Sequence, residues 1–306
     1  MLPSLGSMVS RLHLRHLRLL IALDDLGSLL KAAEQVGLSQ PGASKALQEI
    51  EETLGATLFT RTNRGLVAND AGLCVIRYAR LIHTNLGQMR EEMEGLLQGH
   101  GGKLALGVIM GAVPLLTEMM LRLIKAHPAI SIELVEDTSA ELLRLLDQGR
   151  LDIAICRTTI SERPDLYDSV IVREETLAVV ANTHHPAATR KRIELADLAE
   201  ARWVVYSANM PMRVLLEREF QQAGLRFPLY LVETTSAFAT LSLLQREPSF
   251  VALLSSEVAQ FCTSFGMTSI LPLQLRSRSE PYELVTRRGA PLSPVARYFM
   301  EGFNLR

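Results

Sequence analysis

The residue types best suited to catalysis or metal binding in this chain are three cysteines and two adjacent histidines. Cys74, Cys156 and Cys262 are odd in number and far apart, which matches neither a disulfide pattern nor metal-ligand spacing, so we expect buried, reduced thiols. His184 and His185 cannot both face one side of a strand, so we expect them in a loop. The sequence contains no nucleophile elbow and no phosphate-binding glycine loop. It therefore predicts no catalytic residue, no metal site and no cofactor.

A second group of residues, within positions 29–48, has the mechanics of two helices that cross at a tight turn. Ala33 is small enough to lie where the helices touch, Gly37 follows four residues later at the turn, and Ala43 can pack inward from the second helix. This spacing predicts a helix-turn-helix, which places its second helix in the major groove of DNA.

Charge supports this interpretation only weakly. Residues 1–90 contain ten lysines and arginines against seven aspartates and glutamates, while the whole chain has a net charge of −1. DNA binding would therefore depend on where the basic residues lie rather than on the overall field of the protein.

The elements around the motif follow from apolar periodicity and from capping residues. Ser28 and Ser39 can cap two helices, and Pro41 is tolerated in a first helical turn because those N–H groups have no helical partner. In chain order the pattern predicts a flexible leader, three helices and a two-stranded wing, over residues 1–10, 12–27, 28–36, 39–54 and 58–68.

Residues 70–98 carry the longest helical pattern. One apolar stripe extends over about seven turns, and a small winged domain cannot cover it, so a second copy of the same helix is the simplest partner. The residues that we expect to pair two chains are Leu73, Ile76, Ile82, Leu86, Met89 and Met93. The glycine-rich segment 99–102 predicts a hinge.

After the hinge, strands alternate with helices in two sets, which predicts two α/β lobes built on parallel sheets. The overall fold class is therefore multidomain α+β and α/β. The sequence contains no apolar run long enough to span a membrane and no secretory leader, so we expect no membrane partner and a cytoplasmic protein.

The helix-turn-helix region resembles the LysR family of bacterial transcriptional regulators. The matching features, in order, are Ala32-Ala33, Ser39-Gln40-Pro41, Ser44, Leu47, Ile50-Glu51, Leu54-Gly55, Leu58-Phe59 with Arg61, and Asn69-Asp70-Ala71-Gly72. Three features depart from the family pattern: Gly42 stands where alanine is more common, the wing carries less charge, and the leader is long enough that Met8 is an alternative start.

The resemblance implies a domain order and a set of partners. It implies a winged helix-turn-helix (12–69), a dimerisation helix (70–98), a hinge (99–102), lobe I (103–172 and 273–306) and lobe II (173–272), the lobes having the architecture of type 2 periplasmic binding proteins. The implied partners are double-stranded promoter DNA, a small-molecule effector, further copies of the chain in a homodimer or homotetramer, and RNA polymerase.

The resemblance also assigns residues to DNA. The residues expected at base edges, at the start of the recognition helix, are Gln40, Pro41, Ser44 and Lys45. Those expected at phosphates or the minor groove are Ser28, Lys31, Arg61 and Arg64. Three alternatives stay open: Gln40 and Ser44 on a solvated helix face, Lys45 on phosphate, and Arg61 in an ion pair within the winged domain.

Effector contacts are expected beyond the carboxyl ends of the strands, where open α/β sheets bind ligands. The rule selects Met110, Gly111, Thr138, Ser139, Arg157, Ser207, Asn209, Thr234, Thr235 and Ser236. Because hydroxyls cluster there with one arginine, we expect an anionic or polyhydroxyl metabolite. Helix capping is the alternative role for these hydroxyls, above all for Thr138.

The sequence thus favours a DNA-binding regulator, and the resemblance implies that an effector changes the closure of the lobes and with it the DNA bend. A solute-binding protein would leave the first 98 residues without a role. An enzyme using the same cleft is the other alternative, and turnover of a ligand would reveal it.

Overall fold

The computed structural model describes residues 3–63, 65–98, 102–208 and 210–304. The chain divides into an N-terminal unit (Met1–Lys103 with Arg144–Leu151) and a C-terminal unit (Leu104–Leu143 with Asp152–Arg306). The N-terminal unit contains α1 (Leu5–Arg11), α2 (Leu14–Leu26), α3 (Leu29–Val36), α4 (Gln40–Leu54), β1 (Phe59–Thr62), β2 (Gly65–Ala68) and α5 (Asp70–Gln98).

The helix-turn-helix forms as its caps and small residues predict. The hydroxyls of Ser28 and Ser39 accept backbone N–H groups in the first turns of α3 and α4. Gly37 ends α3 with φ 75°, a left-handed conformation that favours glycine. Ala33 and Ala43 are 1% and 0% exposed, and their small size lets α3 and α4 pack closely within the core of the N-terminal unit.

The leader is not the flexible segment that the sequence predicts. Residues Leu5–Arg11 form α1, which begins where the Ser4 hydroxyl accepts the N–H of Ser7 at 3.3 Å. Met8 and Leu12 pack against the core of the N-terminal unit. The short segment is helical because a cap and tertiary packing supplement its weak local preference.

The helix α5 is as long as predicted, but its apolar side chains have two different environments. Leu73, Ile82, Leu86, Met89 and Met93 are between 38% and 54% exposed. Ile76 is 3% exposed and belongs to the core of the N-terminal unit. The prediction that Ile76 pairs two chains is therefore wrong, because this residue is already covered by its own winged domain.

The C-terminal unit contains two five-stranded sheets. Its elements are β3 (Lys103–Val108), α6 (Val113–Ala126), β4 (Ser131–Glu136), α7 (Ser139–Asp147), β5 (Ile153–Cys156), β6 (Tyr167–Glu175), β7 (Leu177–Ala181), β8 (Arg202–Val205), α8 (Pro211–Gln222), β9 (Leu231–Glu233), α9 (Ala237–Arg246), β10 (Phe250–Ser255), α10 (Ser256–Ser264), β11 (Ser269–Ile270), β12 (Ser279–Arg287) and α11 (Pro294–Asn304). Its α7 runs on into the segment that clusters with the N-terminal unit.

Each sheet has a parallel centre and antiparallel additions. The first lobe has the strand order β4-β3-β5-β12-β6, and the second has β11-β7-β10-β8-β9. β3 pairs with β5 in parallel, as β8 does with β9 and β10. β12 pairs antiparallel with β5 and β6, and β7 pairs antiparallel with β10. The antiparallel strands are those beside the crossings between lobes, after Glu175 and before Ser279.

The cysteines and histidines have mixed surroundings. Cys156 and Cys262 are buried, whereas Cys74 is exposed on α5, which corrects the prediction of three buried thiols. His184 and His185 lie in the turn after β7. In the described part of the chain, no three metal-ligand side chains are grouped to hold an ion, and none of the described helices is long and apolar enough to cross a membrane.

Candidate DNA-binding face and ligand cleft

The first two turns of α4 separate into a buried face and an exposed polar face. Ala43 packs in the core, while Gln40, Ser44 and Lys45 are exposed. Pro41 is also exposed, in the first turn of the helix. The side chains that could reach base edges are therefore free of the domain's own packing.

Gly42 has a local structural reason. The hydroxyl of Ser39 accepts the N–H of Gly42 at 3.2 Å, and a Cβ atom added at Gly42 would lie 3.1 Å from the same oxygen. That approach is tighter than an ordinary contact, so glycine leaves room for the cap. Lys45 Nζ lies 4.0 Å from Glu49 Oε1, and both side chains are well exposed. Such a pair contributes little, so Lys45 is available to a phosphate or a base.

The remaining predicted DNA contacts lie at the start of α3 and in the wing. Ser28 caps α3 by accepting the N–H of Lys31 at 3.5 Å, and the Lys31 side chain is exposed. Arg61 is exposed on β1, and no described carboxylate forms an ion pair with it. This environment favours a solvated wing arginine over the structural ion pair. Arg64 lies outside the described residues.

Two polar residues of the family pattern fix the wing to the helices. Glu51 Oε1 accepts the backbone N–H of Leu58 at 2.7 Å, which ties α4 to the residue before β1. Asn69 Nδ2 donates to the carbonyl of Thr57 at 2.9 Å, and its Oδ1 accepts the N–H of Gly72 at 2.9 Å. Asn69 therefore caps α5 and holds the wing at the same time.

Close backbone approaches explain one glycine within the wing and one in the first turn of α5. A Cβ atom at Gly72 would collide with the carbonyl of Leu58, and one at Gly65 would collide with that of Gly27. The N–H of Leu66 donates to the Gly27 carbonyl at 2.9 Å. The wing is thus fixed against α2 and α5.

The helix α5 is joined to the helix-turn-helix by ion pairs as well as by apolar packing. Arg80 Nη2 lies 2.8 Å from Asp24 Oδ2 and 2.6 Å from Asp25 Oδ1. Beyond this fork, the exposed stripe of α5 and α2 together line an open groove of about 460 Å³ that includes Leu14, Leu17, Ile82 and Leu86. An apolar helix would fit such a surface.

In the C-terminal unit, strand ends of both lobes meet at one place. Met110 and Gly111 follow β3, and Tyr206 follows β8 in the other lobe. The Tyr206 hydroxyl lies 3.3 Å from the sulfur of Met110, which packs against the core of the second lobe. Ser255, which ends β10 and caps α10, borders Gly111. The structure therefore brings Met110 and Gly111 to the boundary between the lobes, which is the candidate ligand cleft.

Arg157 is at this cleft but is not a free cation. Arg157 is 8% exposed. Its guanidinium forms an ion pair with Glu175 and donates to Ser279 Oγ at 2.9 Å. Its Nε donates to the carbonyl of Glu280 at 3.1 Å. The expectation that Arg157 attracts an anion loses its basis, because an internal carboxylate already neutralises it.

Most of the predicted hydroxyls serve the fold. Thr138 accepts the N–H of Glu141 at 3.4 Å, as the capping alternative required, and Ser139 accepts the N–H of Arg157 at 3.2 Å. Ser236 caps α9 by accepting the N–H of Ala239 at 3.2 Å. Thr234 Oγ1 accepts the N–H of Ser236 at 3.1 Å. Thr235, the last of the predicted threonines, is exposed.

Ser207, after β8, is half-buried, and Asn209 lies outside the described residues. Glu175, Tyr206 and Ser279 are not among the residues predicted from the sequence. Tyr206 directly follows β8 and was within reach of the strand-end rule. Glu175 and Ser279 lie on the crossings between lobes, which that rule does not cover.

Burial and carboxylates shape the ionisation of this region. Burial raises the pKa of the Tyr206 phenol, and the carboxylates of Glu175 and Glu136 raise it further. Burial, with the nearby Glu283 carboxylate, raises the pKa of the Cys156 thiol to about 12. Both groups are therefore neutral near pH 7, and the phenol can donate a hydrogen bond.

Comparison with known proteins agrees with this architecture. The family model of the LysR substrate binding domain matches residues 97–304, and that of the bacterial regulatory helix-turn-helix protein, lysR family, matches residues 14–73. The HTH-type transcriptional regulator GbpR of Azospirillum brasilense is 34% identical over 96% of this chain and 86% of its own length. The HTH-type transcriptional regulator GalR of Pseudomonas putida is 31% identical over 92% and 71%.

Solved structures support the fold. The crystal structure of CbnR, a LysR family transcriptional regulator, aligns with a TM-score of 0.63 at 20% identity, over 96% of this chain and 99% of that one. Full-length BenM aligns with a TM-score of 0.53 at 24% identity, over 96% of each chain. The relatives are regulators rather than enzymes. This chain, with a helix-turn-helix followed by a LysR substrate-binding domain, belongs to the LysR family of transcriptional regulators.

Proposed function

We propose that this regulator reads a specific operator with α4, as a dimer paired through α5, and that a small molecule in the C-terminal cleft controls it. The exposed polar face at the start of α4 is the observation that supports the proposal most directly. Gln40 and Ser44 project from a helix whose opposite face is fixed in the core. Glutamine can bond adenine through two hydrogen bonds, and serine can approach purine or pyrimidine edges.

Phosphate contacts would set the register of the domain on DNA. Lys31, at the start of α3, and Arg61, in the wing, are exposed. One precedes α4 in the chain and the other follows it, and both can reach phosphates of the DNA backbone. The net charge of −1 means that bulk attraction adds little, so specific contacts must contribute much of the affinity.

Pairing through α5 accounts for its exposed stripe. A partner α5 would cover Leu86, Met89 and Met93 and fill the groove beside α2. Two recognition helices would then meet half-sites about one helical turn apart. Leu121 on α6 and Leu134 on β4 are exposed apolar side chains of the C-terminal unit, and contacts through this unit would join dimers into a tetramer.

The cleft between the lobes is the proposed control point. Because strand ends of both lobes contact each other there, a bound molecule would change how the lobes close. That change would alter the DNA bend held by the tetramer, and with it the promoter presented to RNA polymerase in the cytoplasm.

Fluorescence anisotropy tests this proposal. The purified chain is titrated onto a duplex from upstream of its own gene and onto a scrambled duplex, at several salt concentrations. We expect binding to the upstream duplex to persist at salt concentrations that release the scrambled one, because base contacts are less sensitive to salt than phosphate contacts. Equal, weak binding that salt abolishes on both duplexes would contradict operator reading at this site.

A further inference from the structure

Glu175 is a buried carboxylate at the boundary between the two lobes, within the candidate ligand cleft. It is the last residue of β6, where the chain leaves the first lobe, and it is 5% exposed. A Cβ atom added at Gly111 would collide with Glu175 Oε1 and would lie 3.4 Å from Ser255 Cβ. Gly111 therefore makes room for a carboxylate at the start of α6, the position that an anionic ligand would otherwise occupy.

The pairing of Glu175 decides which ligands the cleft can accept. Its carboxylate forms an ion pair with Arg157, whose guanidinium also bonds Ser279. An anionic ligand that used Arg157 would leave Glu175 buried without its partner. If the cost of leaving one side of a buried pair unpartnered is taken from the binding energy, affinity falls by roughly 100- to several-thousand-fold. A neutral ligand can bind while the pair stays intact.

The surrounding charges point the same way. The Tyr206 phenol is influenced by two carboxylates, Glu175 and Glu136. Arg173 on β6 already forms an ion pair with Glu257. The arginines of this crossing strand and of the cleft are therefore neutralised, and additional negative charge would be repelled.

Hydroxyl groups supply the remaining chemistry. The Tyr206 hydroxyl, whose proton is directed at the sulfur of Met110, can accept from a ligand hydroxyl. The half-buried Ser207 and exposed Thr235 lie at the strand ends of the second lobe. Glu175 can accept from a ligand hydroxyl through lone pairs that Arg157 does not use, because a carboxylate has about four acceptor positions. This set suits a ligand that carries several hydroxyls.

We propose that Glu175 makes the cleft selective for a neutral, hydroxyl-rich effector, a sugar or polyol, against carboxylates and phosphates of the same size. The inference rests on the proposed function, because it names the ligand class of the same cleft. Glu175 acts here as a specificity-determining residue: it accepts ligand hydroxyls and pairs with Arg157, the arginine that an anion bound at Gly111 would use.

Matched ligand pairs test this assignment on the full chain. The panel consists of aldopentoses and aldohexoses, their alditols and their aldonic acids, together with sulfate. Binding is read from Tm and from the fluorescence of Trp203, the only tryptophan of the chain, which is buried in the second lobe. For the wild type we expect at least one neutral member to bind at least 10-fold more tightly than its aldonic acid, and no response to sulfate.

Charge-removing variants show which residue sets this preference. In Glu175→Gln, Arg157 becomes an unpaired cation, so we expect the preference to invert and sulfate to raise Tm. The control Glu217→Gln removes an exposed carboxylate paired with Arg213 and should behave like the wild type. The double variant Glu175→Gln with Arg157→Gln keeps the test valid if the single variant fails to fold, and it should recover the neutral preference without a sulfate response.

Three results would overturn the proposal: tighter binding of an aldonic acid than of its sugar by the wild type, the same sulfate response in wild type and Glu175→Gln, or no binding by any neutral member. Anisotropy on DNA, measured on the same wild-type preparation, separates the two proposals. Failure of the wild type to bind DNA specifically would contradict operator reading. It would leave the ligand preference untouched, because that preference is measured without DNA.

Discussion

The carboxylate of Glu51 accepts the backbone N–H of Leu58 at 2.7 Å, and so connects the recognition helix to the first strand of the wing. Both residues are part of the family pattern, but the pattern alone does not say why a glutamate follows Ile50. The contact gives the reason: a buried N–H beside β1 requires an acceptor, and α4 provides it. The same oxygen lies 3.4 Å from the N–H of Phe59.

Removing this acceptor should loosen the N-terminal unit alone. Glu51→Ala leaves the N–H of Leu58 without its partner, at a cost of about 1–3 kcal/mol. In urea, the early part of the far-UV circular dichroism transition should move to lower concentration, while the Trp203 fluorescence transition of the C-terminal unit should not move. Glu52→Ala, an exposed neighbour, is the matched control. An unchanged dichroism transition in Glu51→Ala would contradict the role of this bond.

The exposed stripe of α5 predicts that one charge can separate the subunits. Leu86→Asp would bury a carboxylate against the partner helix, and we expect the dissociation constant of the dimer to rise by roughly 100-fold or more. Sedimentation velocity over a range of concentrations measures this change. Glu91→Arg, on the opposite face of the same helix, should leave the mass unchanged. A dimer of unaltered stability in Leu86→Asp would show that α5 does not pair the chains.

Thiol labelling should distinguish the cysteines by their surroundings. Cys74 is exposed, whereas burial and a nearby carboxylate raise the pKa of the Cys156 thiol from 9.0 to about 12. Because the thiolate is the reactive form, a disulfide reagent at pH 8 should modify Cys74 quickly and Cys156 only after unfolding. Cys74→Ser should abolish the fast phase, and a fast thiol that survives this change would contradict the burial of Cys156 or of Cys262.

The same pKa shift has a consequence for stability. The folded state holds the Cys156 proton more tightly than the unfolded chain does, so this contribution to stability is fully present below pH 9. It is lost as pH rises from about 9 towards 12. Urea midpoints followed by Trp203 fluorescence should fall over that range by a larger amount in the wild type than in Cys156→Ala.

Local signals made the helix-turn-helix predictable, and longer-range packing limited the rest. Caps and turn glycines at Ser28, Gly37 and Ser39 act within a few residues, so their positions follow from the sequence. The helix α1 escaped prediction because its formation depends on Met8 packing against distant residues. The helical period of α5 identified an apolar face, but it could not say that Ile76 is covered by the winged domain rather than by a second chain.

The ligand cleft was only partly predictable for a similar reason. Met110 and Gly111, which the strand-end rule selects, lie at the boundary between the lobes, and their contact with an effector stays a prediction. It could not identify Glu175, because this residue enters the cleft from a crossing strand and pairs with a residue 18 positions earlier in the chain. An ion pair of this kind is a property of the folded topology, and the separate positions of the two residues in sequence do not reveal it.

Operator reading by α4 is the central claim, and anisotropy on two duplexes tests it most directly. Gln40→Ala, Ser44→Ala and the control Gln48→Ala, whose amide already bonds Glu52 at 2.9 Å, are compared with the wild type. We predict that the first two variants lose about 1–3 kcal/mol of binding free energy on the specific duplex and little on scrambled DNA. The control should bind both duplexes as the wild type does. Equal losses on both duplexes for Gln40→Ala and Ser44→Ala would contradict base reading by this helix.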